Sequence, residues 1–111
     1  MSAVECRPSL GNAAKPVRIH EQAAAEYEHA TDWYLARSEL AAVRFVAEVE
    51  HAVEAISAAP RRWPLYAHGT RRILFRRFPF AIIYRELPAV IQVLAIAHGR
   101  RRPGYWKDRL K

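Results

Sequence analysis

Residues 38–60, SELAAVRFVAEVEHAVEAISAAP, decide the fold of this chain. Within them Ala42, Phe45, Val46, Val49, Ala52, Val53 and Ile56 recur at steps of three and four, which is one face of an α-helix. Ser38 is placed to cap the helix, and Glu39 puts a negative charge in the first turn, where the helix dipole favours it. Pro60 ends the helix, because the residue before a proline is driven out of helical geometry. One apolar stripe on a helix of this length needs a partner surface, and the flanking sequence supplies it.

Upstream, Ala23, Tyr27, Ala30, Tyr34 and Leu35 mark a first helix opening at Glu21, with Glu26, Glu28 and Asp32 read as lying off its buried face. The break at Arg37 and Ser38 is so short that the two helices fold back as an antiparallel hairpin. Val17 to His20 forms a short β-like run ahead of it. Downstream, Arg71 to Arg77 alternates with period two, Phe80 to Tyr84 is apolar on both sides, and Val90 to Ala97 is nearly continuous Val, Ile, Leu and Ala. Pro79 and the Leu87-Pro88 pair punctuate these strands. The sequence therefore predicts an α+β fold: a short N-terminal strand, then an antiparallel helical hairpin packed on one face of a small antiparallel β-sheet. Residues 1–16, with Pro8, Gly11 and Asn12 and no period, are read as a flexible tail, and 17–111 as a single domain.

Charge is segregated along the chain. Residues 1–60 hold nine acids and five bases, whereas residues 61–111 hold thirteen bases against only Glu86 and Asp108, giving the overall +7. Such a basic half draws polyanions or an acidic protein partner. Cys6 is the sole cysteine, which fits a reducing compartment, and no apolar window approaches a membrane span, so a cytoplasmic location is expected. The five histidines are scattered without metal-ligand spacing, and phosphate-loop, dinucleotide and nucleophile-elbow patterns are absent, so neither metal nor cofactor is expected.

The chemistry-bearing stretch is the C-terminus, AHGRRRPGYWKDRLK, residues 97–111. Arg100, Arg101 and Arg102 stand beside Tyr105 and Trp106, which sets cationic forks next to aromatic faces. Trp106 is grouped with the arginines as a contact residue, its other reading being a core plug docked on the sheet. If the chain cleaved RNA, His98 is the best-placed group titrating near neutrality, with Tyr105 or Lys107 as partner. A lone histidine at a strand end is otherwise a hydrogen-bonding residue, and His68 belongs to a turn. On the first helix, one of Trp33 and Tyr34 is expected to face outward, as a partner contact or as a partly buried aromatic.

From about Val17 onward the chain resembles the RelE/ParE superfamily of type II toxin–antitoxin toxins, often called plasmid stabilisation proteins. The resemblance runs through Asp32-Trp33-Tyr34, Arg44-Phe45, Ile56 to Pro60 with Pro64, Arg71, Arg77-Phe78-Pro79-Phe80 and Tyr84. It ends on Ile96-Ala97-His98-Gly99-Arg100-Arg101 with Pro103, Tyr105 and Trp106. It implies a toxin that arrests growth and a cognate antitoxin laid over Trp33, Tyr34 and the sheet edge, with assembly as a homodimer or a toxin–antitoxin hetero-oligomer. The His98-Gly99-Arg100-Arg101 ending is similar to the ParE branch, which poisons DNA gyrase. Arg72, Arg76, Arg77, Arg100, Arg101, Arg102 and Trp106 are then the target-binding candidates. The RelE branch implies the alternative, ribosome-dependent cleavage of messenger RNA, in which His98 and Tyr105 would be catalytic. That branch's cations on the first two hairpin strands are replaced here by Leu74 and Ala81. A non-toxic binding module of the same fold is the third reading.

Overall fold

The computed structural model describes residues 15–111. Strand β1 (Val17–Ile19) leads into helix α1 (Glu21–Leu35), a three-residue connection and helix α2 (Glu39–Ala58). Strands β2 (Arg71–Leu74), β3 (Phe80–Glu86) and β4 (Ile91–His98) follow, and a 3₁₀ turn over Lys107–Leu110 closes the chain. The sheet order is β1-β4-β3-β2. The expected α+β architecture is present, with one correction: β1 pairs parallel with β4, so the sheet is mixed and only β2, β3 and β4 are antiparallel. A parallel first strand follows from topology, since the helical hairpin carries the chain from β1 back across the sheet before β2 begins.

Ser38 Oγ accepts the Ala41 N–H at 3.1 Å, so α2 is capped where the sequence places its start. Ala42, Phe45, Val49, Val53 and Ile56 are buried, with Phe45 at the centre. The Phe45 ring lies 5.2 to 6.1 Å from the rings of Tyr34, Phe78, Phe80, Tyr27 and Phe75, which join both helices to the sheet. Burying such a side chain stabilises by about 1.5–3 kcal/mol. On α1, Ala23 and Ala30 are buried, whereas Leu35, the last residue of the helix, is exposed, a correction to its place on the buried face.

The opposite face of the sheet is closed by the C-terminal segment. Ala81, Ile83 and Ala95 pack under Trp106, which is 1% exposed. Gly104, at φ +83°, makes the reversal that delivers Tyr105 and Trp106 to the sheet, a backbone state that a side chain would strain. Of the expected flexible tail, residues 1–14 lie outside the described part. Lys15 and Pro16 are tied down: Ser57 Oγ donates to the Lys15 carbonyl at 2.6 Å, the Lys15 ammonium meets Glu86 at 2.8 Å, and Pro16 O accepts the Ile91 N–H.

Candidate partner-binding and target-binding cleft

Strand β4 contains one residue more than its partner across the ladder. Ile83 faces Ala95 but Tyr84 faces Val93, so Leu94 is a bulge. On the other side, β1 ends at Ile19 opposite Val93. Beyond that point β4 has no neighbouring strand, yet Leu94 and Ile96 are buried and their backbone groups need partners. Two side chains provide them. The Ile96 N–H donates to Glu26 Oε1 at 3.0 Å, and Arg109 Nη1 donates to the Leu94 carbonyl at 2.9 Å.

Glu26 is therefore inside the structure, a correction to its placement off the buried face. Its carboxylate also takes the Arg109 fork, Nη1 at 3.0 Å and Nη2 at 2.9 Å, and the Tyr105 hydroxyl at 2.7 Å. This bidentate pair is charge-assisted and largely out of solvent. Burial, reinforced by the hydrogen bond to Glu26, pushes the Tyr105 phenol well above its ordinary value despite the neighbouring Arg109 and Arg101. Burial disfavours the Arg109 charge, but the hydrogen bond to Glu26, the Glu26 charge and Tyr105 together outweigh it and raise the guanidinium above its usual range. Neither Glu26 nor Arg109 stood among the sequence candidates. The signal was there in part: Ala23, Glu26, Ala30 and Trp33 recur at steps of three and four, so Glu26 shares a helical face with two buried alanines.

Beside this anchor lies a cleft of about 660 Å³ between α1 and the ends of β3 and β4. Its floor is apolar, with Ala30, Phe80 and Ile96, and its far wall is the cationic turn after β4. His98 ends β4, pairs with Phe80 across the ladder and sets its ring edge-on to Phe80 at 4.9 Å. His98 Nδ1 accepts the Arg100 N–H at 3.0 Å, which fixes the start of the turn. Arg100, Arg101 and Arg102 are exposed, and the Arg101 guanidinium lies 3.9 Å over the Tyr105 ring, so the anchored tyrosine is its platform. On the α1 wall Tyr34 packs its ring between Phe45, Phe78 and Phe80, while Trp33 stands half exposed under the Arg37 guanidinium at 3.6 Å. Trp33 is thus the outward member of the pair.

The remaining candidates lie elsewhere. Arg72 is on the opposite face of the sheet, 4.1 Å over the Tyr66 ring, beside a smaller hollow of about 330 Å³ that Arg101 and Arg102 also border. Strand β2 stops at Leu74 and not at Arg77, so Arg76 and Arg77 sit exposed in the β2–β3 turn, where the Arg76 N–H donates to the Glu48 carboxylate at 2.8 Å. Trp106 leaves the target-binding set, because a ring that is 1% exposed beneath the sheet is a core plug and meets no partner. Leu74 and Ala81 are direct cross-strand neighbours and form an apolar pair. Among the described residues no three metal-ligating side chains converge, and no helix is long and apolar enough to cross a membrane.

Comparison with known proteins gives this geometry a family. The model of the family described as ParE toxin of type II toxin-antitoxin system, parDE, matches residues 17–103, from β1 through the cationic turn. The chain belongs to the ParE toxin family. Among solved structures, one described as the chromosomal ParDE TA system from P. aeruginosa has the same fold, with a TM-score of 0.65 and 22% sequence identity over 74% of this chain and 92% of that chain. A comparison with curated proteins finds no match. The match ends at Pro103, so Tyr105, Trp106 and Arg109 lie outside the matched region.

Proposed function

We propose that this ParE-family toxin arrests growth by binding and poisoning DNA gyrase, in the cytoplasm, and that a cognate antitoxin keeps it inactive by covering Trp33, Tyr34 and the adjoining cleft. The observation that carries the choice of target is the state of the two groups an RNA-cleaving site would need. The Tyr105 hydroxyl is committed to Glu26, and burial holds its proton more tightly than in water. His98 Nδ1 is committed to the Arg100 backbone. Both side chains help hold the shape of the cationic turn, and Leu74 and Ala81 form an apolar pair on β2 and β3 at the positions where the RelE resemblance implies cations. A protein built this way favours electrostatic docking on a macromolecular target over proton transfer.

One observation favours the second reading, cleavage of ribosome-bound message: Arg72, Arg101 and Arg102 border the same hollow on the opposite face, a group of cations of the kind that neutralises a nucleic-acid backbone. The two readings separate on substitution. Changing Arg100, Arg101 and Arg102 together to Ala should abolish growth arrest with the fold intact. His98→Gln should keep much of the toxicity of a gyrase-binding protein, because glutamine preserves hydrogen bonding. A ribonuclease relying on His98 would lose about 10²-fold or more in rate.

A further inference from the structure

Two guanidiniums approach the Tyr105 ring, Arg101 at 3.9 Å and Arg109 at 5.0 Å. They differ in commitment. Arg109 is paired with Glu26 and donates to the Leu94 carbonyl, whereas Arg101 is exposed and, among the described residues, has no ion pair. We propose that Glu26, Tyr105 and Arg109 are positioning residues for target docking: they hold the Arg101 guanidinium over a fixed ring, which makes Arg101, and not Arg100 or Arg102, the dominant target contact. The proposal rests on the docking reading above and adds to it three residues that act through Arg101.

A long exposed side chain samples many rotamers, and ordering it on binding costs affinity. Arg101 is ordered in advance at both ends. Its N–H donates to the His98 carbonyl at 2.9 Å, and its guanidinium rests on Tyr105. The ring is fixed in turn, because its hydroxyl donates to Glu26 at 2.7 Å and its body packs against Ala81, Ile83, Ala95 and Trp106. Glu26 has a second effect. Its carboxylate takes the Arg109 fork, so the charge on the other guanidinium is compensated and Arg101 does not face a free like charge across the ring. Arg109 completes the frame, since its hydrogen bond to the Leu94 carbonyl ties the pair to β4. Arg100 and Arg102 are exposed on the same turn, but among the described residues neither rests on an aromatic face. Three equal charges are therefore unequally ordered, and the pre-ordered one loses least on binding.

The test is a double-substitution cycle on the full-length protein, read as the toxin concentration that half-inhibits supercoiling by purified DNA gyrase. Arg101→Ala should raise that concentration about 10-fold or more, and Arg100→Ala or Arg102→Ala about 3-fold or less. Tyr105→Leu, which keeps every arginine, should raise it about 5-fold, and Tyr105→Phe, which removes only the hydroxyl tether, about 2-fold. In an Arg101→Ala background neither Tyr105 substitution should add anything, since the side chain it positions is gone. A merely structural tyrosine would add its full factor there. Nuclear magnetic resonance gives a readout independent of gyrase: the Arg101 side-chain N–H, displaced by the Tyr105 ring current in the wild type, should join the Arg100 and Arg102 signals in Tyr105→Leu. Full additivity with Arg101→Ala, or an Arg101 effect no larger than those of its neighbours, overturns the positioning and leaves the docking reading standing. A wild-type Arg101 signal without ring-current displacement overturns it as well. Gyrase left unimpaired by the wild-type protein removes the docking reading itself, and this proposal with it.

Discussion

Replacing Glu26 with glutamine exchanges one carboxylate oxygen for an NH₂ group and should loosen the whole C-terminal anchor. The carboxylate accepts from the Ile96 N–H, the Tyr105 hydroxyl and both arms of the Arg109 fork at 2.7 to 3.0 Å. Glutamine retains one acceptor oxygen and turns an NH₂ group toward donors, so the fork loses its second contact and Arg109, with its side chain 10% exposed, keeps a charge with no counter-charge. Removing one partner of a buried pair costs about 3–5 kcal/mol, and because the Glu26 side chain is 18% exposed the lower end applies, about 3 kcal/mol. For a domain of this size that lowers Tm by roughly 12–20 °C. Circular dichroism melting gives the global number, and hydrogen exchange locates it: the Ile96 amide and the amides of residues 104–110 should lose protection, while those of α2 should not. A Glu26→Gln protein melting at the wild-type temperature, with the Ile96 amide still protected, would refute the reasoning. Glu26 would then be an incidental neighbour of the fork.

Two further outcomes test other parts of the structure. Val49→Asp puts an unpaired charge at a position 1% exposed between hairpin and sheet, at a cost of several kcal/mol out of a typical ~5–15, and the variant should show no cooperative thermal transition. Glu86 is held below the usual carboxylate range by hydrogen bonds from Lys15 and Arg61. A depressed carboxylate stabilises the fold above its unfolded pKa and loses that contribution as pH falls through the lower folded value. Glu86→Gln should therefore flatten the loss of stability expected below about pH 4.5, which denaturant titrations across pH would measure. Arg61 is largely exposed, so solvent screening limits the effect to about 1 kcal/mol or less.

The helices were legible because their signals are local. The stripe from Ala42 to Ile56, the Ser38 cap and the Pro60 stop act within a few residues of one another, and each is where the sequence places it. Strands β3 and β4 announce themselves by apolar character on both sides, which follows from helices on one face and Trp106 on the other. What escaped was set by distant partners. The direction of β1 depends on pairing with a strand more than seventy residues later. The bulge at Leu94 is invisible in a run of apolar residues, because a period-two pattern with polar residues on neither face carries no register. Without the bulge and the early end of β1 opposite Val93, nothing asks for Glu26 or Arg109, so the anchor that holds Tyr105 could not be read. At the site, the cationic turn was legible as an exposed cluster, while the outward aromatic on α1 was legible only as one of Trp33 and Tyr34 until the fold turned Trp33 out. Trp106 was not, because an aromatic beside arginines reads equally as a contact or as a plug until the fold places it beneath the sheet.

The gyrase assignment is tested most directly by adding the purified toxin to DNA gyrase acting on relaxed plasmid, in parallel with ribosomes translating a defined message. The account predicts dose-dependent loss of supercoiling, abolished when Arg100, Arg101 and Arg102 are changed to Ala and largely retained with His98→Gln, while the message stays intact. Unimpaired supercoiling together with message cleavage that disappears with His98→Gln would contradict it.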